Sequence, residues 1–249
     1  MSDAPILQVR GLTKRFGAFT ALEDVSVDFH HRRLTAIIGP NGAGKSTFFN
    51  VISGAFPPTE GQVLYEGRDI TGAKAHEFAR LGIAKSFQIT SLFPQLSARE
   101  NVRLAVQMRR TRFNLFSPRT AYPELVERAD ALLETVGLAG HGERPAADLA
   151  HGQQRSLEVA MALACEPKLL LLDEPTAGMS PEETTAMMGL ITRLAAERTV
   201  ILVEHKMKLV MGICERLLVL HHGRFLAEGT PQEIRANDEV RSVYLGERT

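Results

Sequence analysis

The segment Gly39-Pro-Asn-Gly-Ala-Gly44-Lys45-Ser46 fits the spacing GxxxxGK[ST] at every fixed position and lies between a predicted strand and a predicted helix. Glycines at these positions let successive backbone N–H groups turn inward toward an anion. The helix that begins near Lys45 adds the positive end of its dipole, Lys45 neutralises oxygens of a phosphate chain, and Ser46 offers a hydroxyl to Mg2+. Downstream, Leu169 to Leu172 runs into Asp173-Glu174, which puts two carboxylates at the carboxyl end of a buried strand, where open α/β sheets bind ligands. Asp173 is a candidate holder of Mg2+, through water or a serine hydroxyl. Glu174, one residue on and facing elsewhere, is a candidate general base for an attacking water. A hydrophobic strand ending in Asp-Glu says little alone. With a phosphate loop upstream, the pair predicts hydrolysis of a nucleoside triphosphate.

A third segment, Leu149-Ala-His-Gly-Gln-Gln154, precedes a helix carrying Leu157, Ala160, Met161 and Ala164. Gly152 permits close backbone approach, and the first N–H groups of the helix have no partner within it, so the segment reads both as a helix entry and as an anion contact. The paired histidines His30-His31 and His221-His222 are expected to point apart as solvated turn residues, with no third group spaced to complete a metal shell.

The elements that must hold these residues follow from periodicity. Near the N-terminus, Ile6 to Val9 and the alternation Val25, Val27, Phe29 read as antiparallel strands with one buried face. Thr35 to Gly39 is a buried strand, followed by the helix Lys45 to Ser53, which Gly54 closes. Ser97 and Glu100 frame a capping box for a helix over about 98–108. Pro123 opens another whose Leu125, Ala129, Leu132, Leu133 and Val136 share a face. The α/β rhythm returns with Leu169 to Asp173, a helix from Ser180-Pro181, a strand Thr199 to His205, a helix from about Lys206 and a strand Arg216 to Gly223. The expected fold is therefore α/β: a phosphate-loop core with a mixed sheet (1–88 and 166–249), an antiparallel β subdomain within it, and an inserted helical lobe (89–165), all in one domain over 1–249. Arg109 to Arg119, where arginines interleave with Phe113, Leu115 and Phe116, reads as an exposed loop or a docking surface for a membrane partner.

Composition restricts the function classes. The 249 residues carry 29 Lys plus Arg against 29 Asp plus Glu, so no overall field attracts nucleic acid. Cys165 and Cys214 lie in apolar surroundings outside any CxxC pattern, which argues against a disulfide framework or a zinc site and suits a reducing compartment. The longest apolar run, Val159 to Cys165, is too short to span a bilayer, and MSDAPILQV has no signal-peptide pattern.

Six segments in order carry a family resemblance: GPNGAGKST (39–47), SFQ (86–88), LAHGQQ (149–154), LLLLDEP (169–175), AGMS (177–180) and VEH (203–205). The chain resembles the ATP-binding subunits of ABC transporters from about Ile6 to Gly229. The resemblance implies that ATP is held by Gly39, Pro40, Asn41, Gly42, Ala43, Gly44, Lys45, Ser46 and Thr47, with Phe16 stacked on adenine. It further implies Mg2+ at Ser46, Gln88 and Asp173, His205 as a switch histidine on the γ-phosphate, and catalysis by Glu174 with Lys45, Gln88 and His205. The segment 149–154 would bring Ala150, His151, Gly152 and Gln153 to ATP held by a second ATPase chain, so a lone monomer would hydrolyse poorly.

Two departures stand out. The usual LSGGQ has become LAHGQ, which removes a serine hydroxyl, and Ser180 stands where an aspartate is common. Ser180, Pro181 and Glu183 make a good helix start in its place. LTKRFG, LAHGQQRSLEVA and LLLLDEPTAGMSP look most like the ATPases of importers for branched-chain and other hydrophobic amino acids. That likeness implies integral-membrane permease subunits, a homo- or heterodimer of ATPase chains, an indirect substrate-binding protein, and a peripheral place on the cytoplasmic face of the cell membrane. Uptake of urea or amides and lipopolysaccharide export are alternatives of the same class. A DNA-associated ATPase would carry a long coiled coil or zinc module between its motifs, and a nucleoside kinase would leave LAHGQQ and His205 without purpose.

Overall fold

The computed structural model describes residues 4–86, 92–110 and 122–245. A six-stranded sheet runs in the order β10-β9-β3-β8-β7-β6. β3 (Leu34–Ile38), β6 (Ile83–Lys85), β7 (Leu169–Asp173), β8 (Thr199–Val203) and β9 (Arg216–His221) are parallel to their neighbours. Only β10 (Arg224–Gly229) is antiparallel, to β9, so the sheet is mixed as expected. A second, antiparallel sheet has the order β2-β1-β4-β5 and joins β1 (Pro5–Phe16), β2 (Phe19–His30), β4 (Glu60–Tyr65) and β5 (Arg68–Asp69).

Both faces of the main sheet are covered, which is why its strands read as unbroken apolar runs rather than alternations. Alternate residues divide between two cores. Ile37, Leu169, Leu171, Ile201, Val203, Leu218 and Leu220 pack with the antiparallel sheet and with Phe48, Phe49 and Ile52 of α1 (Lys45–Ile52). Leu34, Ala36, Ile38, Leu170, Leu172, Val200 and Leu202 face the other way, into helices. That second core takes in α3 (Ala98–Arg110), α4 (Pro123–Thr135), α5 (His151–Leu163) and α6 (Pro181–Glu197). Leu125, Ala129, Leu132 and Leu133 do share the buried face of α4, and Val136, its C-cap, is buried with them, each large aliphatic contributing about 2 kcal/mol of transfer free energy.

Several boundaries differ from expectation. β8 stops at Val203, so Glu204 and His205 lie beyond the strand, and the helix after Lys206 is a single turn, α7 (Met207–Val210). α2 (Ala75–Leu81), β4 to β6, β10, α8 (Pro231–Ala236) and α9 (Asp238–Leu245) have no clear period in the sequence, being short and half-exposed. His221 and His222 do not point apart: their rings approach to 4.0 Å between centroids, because His222 adopts φ +46° in the β9–β10 turn. Among the described residues no helix is long and apolar enough to cross a membrane. Gln88 and most of 109–119 lie outside the described residues, and the side chains of Arg109 and Arg110 are not described either.

Candidate functional site

The loop Gly39–Gly44 leaves the carboxyl end of β3 and enters α1. Gly44 caps α1 with φ +101°, and a Cβ there would stand 2.7 Å from the carbonyl oxygen of Ala21, so both the turn and the packing exclude a side chain. No side chain caps the first turn of α1, which leaves its N–H groups for a ligand. Lys45 is 7% exposed and its Nζ folds back onto the loop, donating to the carbonyl oxygens of Gly39 at 2.7 Å and Pro40 at 2.9 Å. Burial draws this ammonium below the usual lysine range, partly offset by Glu174 and Asp173. Asn41, Gly42 and Ser46 are exposed and Pro40, Gly44 and Thr47 half-buried, while Gly39 and Ala43 are buried beneath them.

Asp173 ends β7 and is buried. Both its carboxylate oxygens are buried without a hydrogen-bond partner. Burial pushes its pKa up to about 6 against the pull of Lys85, Lys45 and Arg155, and repulsion from Glu174 adds to the rise. Such orphaned acceptors are costly unless a cation completes them. The Asp173 carboxylate and the Ser46 hydroxyl are hard-oxygen donors of the kind that fits Mg2+, with the remaining positions open to phosphate oxygens and water.

Glu174 adopts φ +45°, a left-handed conformation costing a non-glycine residue on the order of 1 kcal/mol. The sheet holds it there: its N–H donates to the Val203 carbonyl at 2.9 Å, and its own carbonyl accepts from the Ala177 N–H at 3.1 Å. The half-buried Glu174 carboxylate faces His205, whose Nδ1 lies 3.7 Å from Glu174 Oε1. The same nitrogen is 3.8 Å from Glu204 Oε2, so the imidazole stands between two carboxylates. Glu204 is wholly buried; it accepts from the Thr176 hydroxyl and from the His205 N–H, fastening the end of β8 to the loop after β7.

Phe16 ends β1 with 44% of its surface exposed, edge-on to Phe56 at 5.8 Å and with Lys14 Nζ 5.0 Å above the ring. It is a surface aromatic and not a core residue, which is the condition for stacking on a flat ligand ring.

At the amino end of α5, Ala150 has no side-chain acceptor, and Gln153 Oε1 takes the Ala150 N–H at 3.1 Å. His151 is exposed, and its Nε2 lies 3.0 Å from the Ala177 carbonyl oxygen. The space beside Gly152 is taken by Glu183 of the same chain, where a Cβ would meet Oε1 at 2.5 Å. Among the described residues no hydrogen bond joins 39–47 to 149–154.

The structure thus assembles Lys45, Asp173, Glu174 and His205 at the carboxyl ends of β3, β7 and β8, with the phosphate loop beside them. Lys85, Thr176 and Glu204 belong to this neighbourhood and do not emerge from sequence reasoning. Lys85 donates to Asn50 at 2.6 Å and exerts the strongest pull on Asp173. VEH contains Glu204, so a signal existed for that residue; for Lys85 only the pairing of β6 with β7 supplies one. A cavity of about 980 Å³ lies at the opposite, amino end of the sheet, where Lys168 is paired with Glu66 and Arg128 with Glu166.

Comparison with known proteins shows the family of the chain. The family described as ABC transporter matches residues 22–177, and the family described as branched-chain amino acid ATP-binding cassette transporter matches 226–249. The chain is 42% identical over 98% of both sequences to the high-affinity branched-chain amino acid transport ATP-binding protein LivG of Salmonella typhimurium. It is similar to the crystal structure of the ADP conformation of MJ1267, an ATP-binding cassette of an ABC transporter, with a TM-score of 0.86 and 31% identity over 98% of this chain and 99% of that one. The dimeric structure of MJ0796, a bacterial ABC transporter cassette, aligns with a TM-score of 0.78 and 26% identity over 90% and 98% of the two chains.

Proposed function

Since the chain belongs to the ABC transporter family as an ATP-hydrolysing cassette, we propose that it powers a membrane importer for branched-chain amino acids. The observation that carries the substrate class is the end-to-end likeness to LivG, joined by the C-terminal family match at 226–249. The chemistry is carried by Lys45, Asp173, Glu174 and His205 at one end of the sheet.

In this reading ATP enters with its phosphates on the loop 39–47, and Lys45 exchanges the Gly39 and Pro40 carbonyls for phosphate oxygens. Phe16 stacks on adenine. Ser46, Asp173 and Gln88 would hold Mg2+, which would supply positive charge against the phosphates. Glu174 takes a proton from water as the water oxygen forms its bond to the γ-phosphorus and the bond to the ADP oxygen breaks. His205 donates to the γ-phosphate and holds the Glu174 carboxylate in line. The amino end of α5, with Ala150, His151, Gly152 and Gln153, closes over ATP held by a second ATPase chain. Integral-membrane permease subunits take up that motion on the cytoplasmic face of the membrane, and a separate binding protein delivers the amino acid to them.

The test is uptake of labelled leucine by cells lacking the chain. Uptake is lost, restored by the wild-type chain and not restored by Glu174→Gln, which still binds ATP. Leucine uptake unaffected by the deletion would overturn the assignment.

A further inference from the structure

We propose that His151 is a positioning residue that ties the amino end of α5 to the loop after the catalytic strand, so that the helix end offered to one nucleotide pocket and the Glu174 of another respond together. This rests on the two-chain reading above.

The tie is built from both sides. His151 is the first residue of α5, a helix of 13 residues seated in the core through Leu157, Val159, Ala160 and Leu163. Its Nε2 is 3.0 Å from the Ala177 carbonyl oxygen. A carbonyl only accepts, so Nε2 carries the proton and donates. Ala177 in turn closes the turn onto Glu174, its N–H donating to the Glu174 carbonyl at 3.1 Å. One hydrogen bond and one tight turn therefore separate the head of α5 from the strained backbone of Glu174.

The facing residue is shaped for this contact. Gly178 adopts φ +75°, and a Cβ there would stand 3.0 Å from His151 Nε2 and 3.1 Å from Cδ2, so a side chain would push the imidazole off its acceptor. Next along the chain, Gly152 receives the Glu183 carboxylate. That carboxylate also accepts from the Ser180 N–H at 3.0 Å, while Ser180 Oγ accepts from the Glu183 N–H at 3.2 Å. The contact joins α5, the loop 174–180 and the start of α6. His151 spends its donor inside its own chain, and Ala150 supplies no cap, so the N–H groups at the head of α5 remain open to an anion.

If α5 of one chain closes on ATP held by its partner, movement of α5 pulls on Ala177 and hence on the Glu174 of its own pocket. The two pockets then become coupled, which appears as cooperativity in ATP concentration.

The experiment follows ATP hydrolysis against ATP concentration for the purified chain and for His151→Phe, His151→Gln and Gly178→Ala, with thermal melts of each. ATP-dependent dimerisation is measured in a Glu174→Gln background by light scattering. The wild type is expected to show a Hill coefficient above 1. His151→Phe, which keeps a ring without the donor, and Gly178→Ala, which leaves His151 in place, lower it below the wild-type value while ATP-dependent dimers still form. His151→Gln, which keeps a donor at the Nε2 position, retains it, and the Phe and Ala changes combined do no more than either alone. A wild-type coefficient of 1, or an undiminished coefficient in folded His151→Phe that still dimerises, overturns the coupling alone. Failure of Glu174→Gln to dimerise with ATP overturns the two-chain reading and the coupling with it.

Discussion

Asp173 and Glu174 are adjacent carboxylates with opposite environments, and the backbone makes the difference. Asp173 ends a straight buried strand with its oxygens orphaned, while Glu174, bent to φ +45°, faces the imidazole of His205. The pKa of Asp173, pushed up to about 6 from the usual 3.8, means that the folded, ligand-free chain binds a proton more tightly than the unfolded one. Stability is then highest below about pH 4 as far as this group is concerned, and falls as the pH rises through 6, by about 2–3 kcal/mol. Asp173→Asn removes the ionisation. In nucleotide-free buffer with EDTA, its stability relative to the wild type should improve by that amount between pH 4 and pH 7 in urea titrations. A pH-independent difference between the two would show that Asp173 does not carry the effect.

Among elements, α6 shows how a departure from a family pattern can be structurally complete. Ser180 Oγ accepts from the Glu183 N–H at 3.2 Å, Glu183 Oε2 accepts from the Ser180 N–H at 3.0 Å, and Pro181 occupies the first helical position. Ser180→Ala removes the hydroxyl half of this box and leaves the proline and the glutamate. The expected cost is about 1 kcal/mol, lowering Tm by about 2–4 °C in calorimetry. An unchanged Tm would mean that proline and glutamate suffice to start the helix.

At the scale of the molecule, one chain holds the phosphate loop and the carboxylates at one end of its sheet, while the open head of α5 has no hydrogen bond to that loop among the described residues. In the two-chain reading proposed above, a site that needs both is completed by a second copy or a related chain. Hydrolysis per chain should therefore fall as the purified protein is diluted through the dissociation range of its ATP-bound dimer. A rate per chain that stays constant across a wide dilution series would remove the second chain from the site.

What the sequence determined by itself was local and periodic. GPNGAGKS needs only its own glycines and the strand and helix on either side to be recognised, and LLLLDE needs only a buried strand to place its carboxylates at an end. The capping box at Ser180 and the apolar face of α4 are likewise written within a few turns of chain. Contacts between distant segments were decided by the tertiary structure, because their energy comes from neighbours the chain meets only on folding. Lys85 bears on Asp173 because β6 pairs with β7, Thr176 meets Glu204 because the loop after β7 crosses to the end of β8, and His151 turns to Ala177 because α5 packs against that same loop. A lone histidine in LAHGQQ has no period to read, and where its proton points depends on a carbonyl 26 residues away.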